Sequence, residues 1–191
     1  YYDARRRVLA GECSEEEVYK IEMLMNQAGI TVHDRPVVDA ALSRAEETEA
    51  PAAALELADG RMITGKTTDL LGPCAALLLN ALKELAGIPH TQPVISPAAI
   101  EPIQTLKTQY LGSKNPRLHM DEVLIALSVS AASDSNAQKA LEQLPNLKGC
   151  QAHTSVMVSD VDRKLFMKLS IQATFEAKYE NNSVIFPKKG I

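Results

Sequence analysis

The densest run of chemistry-bearing side chains is Gly112-Ser113-Lys114-Asn115-Pro116-Arg117-Leu118-His119-Met120-Asp121-Glu122, set between two apolar helical segments. Lys114, Arg117 and His119 precede a helix amino terminus, where unpaired N–H groups and the helix dipole favour negative charge. Lys114, Asn115, Arg117 and His119 are therefore the candidate set for holding a phosphate or carboxylate. His119 would serve as a general acid or base, with Lys114 as electrostatic partner, where a substrate reaches both. The competing reading is a solvated loop in which Asn115-Pro116 makes a turn and Asp121 and Glu122 complement the dipole.

A second pattern, Gly60-Arg61-Met62-Ile63-Thr64-Gly65-Lys66-Thr67, satisfies the phosphate-loop expression G-x-x-x-x-G-K-[ST]. A working phosphate loop needs a strand before the first glycine and a helix that starts at the lysine. Here Met-Ile-Thr is strand material, Asp59-Gly60 is a hairpin turn, and Gly72-Pro73 interrupts any helix begun at Lys66. The hairpin is the favoured reading; nucleotide binding through Gly60, Gly65, Lys66 and Thr67 is the alternative. Cys150 and His153 fall on opposite faces of a strand, so no shared metal is expected. Cys150 reads as a core thiol and His153 as an ordinary surface imidazole. Arg5-Arg6-Arg7 is countered by Glu15 to Glu17 and reads as a solvated helix face.

The elements that must position these residues follow from capping and periodicity. A helix spans Tyr2 to Leu9. Ser14 and Glu17 form a capping box for an amphipathic helix with Val18, Ile21, Leu24, Met25 and Ala28 on its apolar face, stopped by Gly29. A further helical run from Pro36 dissolves into an acidic connection at Glu46 to Glu49. Strands are expected at 52–58 and 61–67, then a buried helix from Pro73 to Ala86, a short strand at Pro93 to Ile95, and a helix from Pro97 to Tyr110. Beyond the polar loop come an apolar helix at 120–132 and a short helix opened by Ser135 with Gln138. A strand at 150–158, a helix at 161–169 capped by Ser159 or Asp160, and a strand at 172–179 complete the pattern. The fold class is α/β, a mixed sheet flanked by helices. Residues 1–50 are expected to be a helical connector from a preceding domain, 51–186 the α/β domain, and 187–191 a tail.

Composition narrows the function classes. With 24 acidic against 20 basic residues the net charge is −4, which argues against nucleic acid or an anionic membrane as partner. The longest apolar stretch, Cys74 to Leu82, falls well below the roughly 20 residues that span a bilayer. Three scattered cysteines fit reduced thiols and a cytoplasmic location better than a disulfide framework. The chain opens on Tyr1 inside a helix, so a longer polypeptide is expected.

The hairpin followed by a buried helix resembles, at the level of fold, the cytidine deaminase-like architecture. The chemistry is missing from it: position 76, where the deaminase needs its Glu, is Ala, and the P-C-x-x-C of the zinc site is absent. The strings Leu111 to Ser128, Leu141 to Cys150 and Asp59 to Thr67 resemble the bacterial family known as domain of unknown function 1846. The resemblance runs from the first helix to about Tyr179. It implies that the chain is the carboxy-terminal portion of a longer protein, with an α/β subdomain of deaminase-like topology and a glycine-rich, phosphate-loop-like segment in the amino-terminal half. It carries over no catalytic residue and no cofactor.

The sequence thus points to a ligand-binding or accessory domain of a larger enzyme, nucleotide-dependent in one version, that takes an anion or phosphate-containing small molecule. The alternative is a structural or homo-oligomerisation domain whose apolar helices, 74–86 and 120–132, pack for stability alone.

Overall fold

The computed structural model describes residues 1–180. The end of the expected α/β domain, 181–186, and the tail at 187–191 lie outside the described residues. In chain order the elements are α1 (Tyr2–Leu9), α2 (Glu15–Ala28), α3 (Pro36–Thr48), β1 (Ala52–Glu56), β2 (Met62–Lys66), α4 (Pro73–Leu85) and α5 (Pro97–Thr105). Then follow α6 (Met120–Ala131), α7 (Ser135–Leu141), β3 (Gln151–Thr154), α8 (Asp160–Lys168) and β4 (Gln172–Phe175).

The strands form a four-stranded mixed sheet in the order β2-β1-β3-β4. β1 runs antiparallel to β2 and to β3, while β3 and β4 are parallel and joined through α8. Alternation along β1 divides the core between two faces. Ala53 and Leu55 join the main apolar cluster with Ile63, Ala152, Leu77, Leu78 and Leu82. Ala52 and Ala54 face the other way, where α3 covers the sheet with buried Val37, Val38 and Ala41. Helix α3, grouped by the sequence with the connector, is thus packed on the sheet.

Close packing of α4 on β2 depends on Gly65. A Cβ added there would overlap the backbone of Ala76 and Leu77, which no side-chain rearrangement relieves. Gly60, at φ +84°, makes the hairpin turn, with Leu57 N–H donating to Arg61 O and Gly60 N–H to Leu57 O. The hairpin expected over Asp59 to Thr67 is present.

Several local expectations are corrected. Pro93 to Ile95 forms no strand: Pro93 has no N–H to offer a ladder, and Val94 and Ile95 plug the core from a loop instead. Glu46 to Glu49 is not a connection, because α3 continues to Thr48 and closes at Glu49 in the left-handed region. The Ser14 hydroxyl makes no capping bond, and Glu17 pairs with Arg7 of α1 rather than completing a box. Asp134 caps α7 in place of Ser135. The run from 97 to 110 is α-helical to Thr105 and then a π-turn, with Pro102 inside it. β3 and β4 are shorter than their alternation suggested.

His153 is also corrected, from surface imidazole to a fully buried ring on β3. It shares a row with Ala54 and Thr174, its Nδ1 lies 2.8 Å from Thr174 Oγ1, and its ring packs against Tyr2 of α1 with centroids 4.7 Å apart and planes tilted by 48°. Arg35 donates to Gln151 Oε1 and Thr174 Oγ1 on the same side of the sheet. A polar seam therefore fastens the amino-terminal helices to β3 and β4.

Gly65→Ala should cost more than about 3 kcal/mol in urea unfolding, because backbone rather than a side chain must move. Gly60→Ala, strained in φ but open in space, should cost only about 1–2 kcal/mol. Equal costs would show that α4 rides off β2 freely.

Candidate functional site

The loop at 112–122 is built by its own side chains. Gly112, at φ +70°, ends the π-turn; Ser113 Oγ accepts the Asn115 N–H, and Asn115 Oδ1 accepts the Arg117 N–H at 3.1 Å. The chain then lies alongside the segment before α4, Leu118 N–H donating to Leu70 O and Gly72 N–H to Leu118 O. This short parallel bridge pins Arg117 and His119 on either side of a fully buried Leu118.

From that point the predicted cations diverge. Lys114 is exposed. Asn115 is occupied with the turn. Arg117 is 6% exposed and its Nη1 lies 2.7 Å from Glu180 Oε1. His119 Nδ1 lies 2.9 Å from Asp162 Oδ2.

Asp162 is the residue the sequence did not single out. It is buried where the amino termini of α6 and α8 meet, and its carboxylate accepts the Met120 N–H at 2.8 Å and the Ser159 hydroxyl at 2.9 Å as well as facing His119. Ser159 in turn caps α8 by accepting the Asp162 N–H. The sequence offered only a cap at Ser159 or Asp160; that Asp162 reaches across to a second helix is a tertiary fact. Glu122 Oε2 accepts both the His119 N–H and the Nζ of buried Lys107, which also donates to Arg117 O.

The hydrogen bond to Asp162 raises the His119 pKa, against the opposing effect of burial. A buried, oriented carboxylate fixes the imidazole through Nδ1 and favours the protonated ring. Ser159 Oγ also lies on the Nδ1 side, at 3.3 Å. Ser, His and Asp therefore meet without forming a nucleophile triad, which needs the hydroxyl on Nε2.

Arg117 also lines a cleft of about 750 Å³ at the carboxyl ends of β2, β3 and β4. Thr67 and Ser155 line it too, both buried; the Thr67 hydroxyl has no hydrogen-bond partner, and Ser155 Oγ accepts the Ala52 N–H. Glu46, Glu49, Asp69, Glu176 and Glu180 contribute carboxylates to its lining, and Lys178 a second cation beside Arg117. Lys66, exposed within β2, lines a different cleft of about 430 Å³ against α4. The strand-loop-helix of a phosphate loop is not what Gly60 to Thr67 forms, since α4 begins at Pro73. Cys74, in the first turn of α4, is buried and burial pushes its thiol pKa well up, and Cys150 is buried as expected.

The model of the carboxy-terminal region of domain of unknown function DUF1846 matches residues 33–185. The chain belongs to this family. It is 54% identical over 165 residues to a UPF0371 protein of Corynebacterium glutamicum and 56% identical over 165 residues to one of Corynebacterium efficiens. A UPF0371 protein of Streptococcus thermophilus is 49% identical over 166 residues. These alignments cover 86–87% of this chain and 33–34% of each relative. The chain thus spans about a third of the length of the curated DUF1846 relatives it matches. No helix among its described residues is long and apolar enough to cross a membrane.

Because the His119 pKa is raised on folding, the dyad stabilises the DUF1846 domain fully below the ordinary histidine value of 6.5, and that contribution is lost as pH rises through the raised value. Asp162→Asn should return the His119 pKa toward 6.5 in an NMR titration and flatten the fall in urea stability as pH rises above 6.5. An unchanged titration would mean that Asp162 does not hold the ring.

Proposed function

We propose that this chain is a ligand-binding accessory domain of a larger cytoplasmic protein, and that its ligand is a small molecule bearing a phosphate or carboxylate. The observation that carries the reading is Arg117: an arginine 6% exposed, on the wall of a 750 Å³ cleft beside the buried hydroxyl residues Thr67 and Ser155. Open α/β sheets take ligands outside the carboxyl ends of their strands, and a planar guanidinium suits a two-pronged anion. In this reading the Glu180 carboxylate holds the place on Arg117 that a ligand oxygen would take. Lys114 and His119 contribute at most long-range charge, since neither lines the cleft. The sheet order and the mixed strand directions support the deaminase-like topology, with Ala76 and buried Cys74 arguing for a binding rather than a deaminating role.

The test is thermal unfolding of the chain with inorganic phosphate, nucleotides and small di- and tricarboxylates. A ligand at 100 times its Kd adds about 2.7 kcal/mol and raises the midpoint by several degrees. Arg117→Lys, which keeps charge but loses the fork, should weaken the effective ligand at least about tenfold. Lys66→Ala should leave it unchanged. A shift abolished by Lys66→Ala instead would move the site to the hairpin cleft, and no shift with any ligand would leave the structural role standing.

A further inference from the structure

Helix α2 carries an apolar face that the described residues leave largely uncovered. At 100° per residue, Val18, Ile21, Leu24, Met25 and Ala28 fall within an arc of about 120°, the stripe of a helix made to be buried. Val18 is 2% exposed, but Leu24 is 63% exposed, Ala28 is exposed, and Ile21 and Met25 are only partly covered. Among the described residues, the element packed most closely on α2 is α1. Across the pair, Arg5 meets Glu15 at the surface and half-buried Arg7 meets Glu17, ion pairs that contribute little to stability where they are exposed. A 14-residue helix is marginal by itself and takes its stability from a packed apolar face.

What covers the face is indicated by the family. The DUF1846 carboxy-terminal match begins at residue 33, after α2 has ended, so α1 and α2 stand outside the domain to which the rest of the chain belongs. The relatives are about three times as long as the segment this chain aligns with. We infer that the face of α2 formed by Ile21, Leu24, Met25 and Ala28 is the docking surface for the remainder of the family polypeptide, which meets it with an apolar helix face or groove of its own. The contact is independent of the Arg117 cleft. It would set the position of the carboxy-terminal domain, because the polar seam of Tyr2, Arg35 and His153 ties the connector to the sheet.

Two measurements test it. In the 191-residue chain, Leu24→Glu should shift the thermal midpoint by less than about 2 °C, as a substitution on an uncovered surface does. A fall of more than about 5 °C would show the face already packed within this chain and overturn the inference. Second, with Cys13→Ser as background, Leu24→Cys is labelled with a maleimide in this chain and in a chimera that carries it as the carboxy-terminal third of the Corynebacterium glutamicum UPF0371 protein. Labelling at exposed Lys139→Cys serves as reference. The expected result is labelling at least about tenfold slower in the chimera, with the isolated chain monomeric in sedimentation. Equal rates would overturn the inference. So would protection in the isolated chain that grows with its concentration, which would assign the face to a second copy.

Discussion

The architecture turns on the approach of α4 to β2, which Gly65 permits by having no side chain. With Ala76 and Leu77 seated directly on the strand, α4 can bring Leu77, Leu78 and Leu82 into one cluster with Leu55, Ile63 and Ala152. The amino terminus of α4 is then held near the loop at Leu70 to Gly72, and that loop is the partner on which Leu118 bridges. Arg117 and His119 owe their positions to that bridge. The glycine that completes a phosphate-loop expression in the sequence is thus needed for packing, and its lysine neighbour is left on an exposed strand.

Leu118 acts as a divider. Its burial sends the residue before it toward the strand-end cleft and the residue after it toward the junction of α6 and α8. Two charged centres result from one loop, each already facing a carboxylate from a distant part of the chain, Glu180 in one case and Asp162 in the other. A buried guanidinium without such a partner would be costly, so the pairing with Glu180 makes the burial of Arg117 possible, while Asp162 orients the half-buried His119.

The opposite face of the sheet follows a different rule. There the row of Ala54, His153 and Thr174 is small or polar, and α3 and α1 approach it through Ala41, Arg35 and Tyr2. Glu176 closes this seam: its pKa is lowered by the nearby His153 imidazole and by the Tyr2 hydroxyl, with burial opposing. Polar fastening of this kind fixes orientation more than it adds net stability. It suits a junction between a sheet and helices whose remaining apolar surface looks outward.

By itself the sequence determined the family, the α/β class, the hairpin at Asp59-Gly60 and the extents of most helices, because these depend on local period, caps and turn residues whose effects reach a few positions. It also placed the Arg5 to Arg7 cluster against Glu15 to Glu17, where Arg5 meets Glu15 and Arg7 meets Glu17, and put an apolar face on α2. Tertiary structure alone decided that Arg117 and His119 part company, that Asp162 bridges two helices 42 positions from Met120 along the chain, and that His153 is buried. It also decided that Val94 and Ile95 fill the core without joining the sheet. The physical reason is the range of the forces: capping and periodicity act along the chain, whereas burial and charge pairing are settled by whichever segment packs alongside.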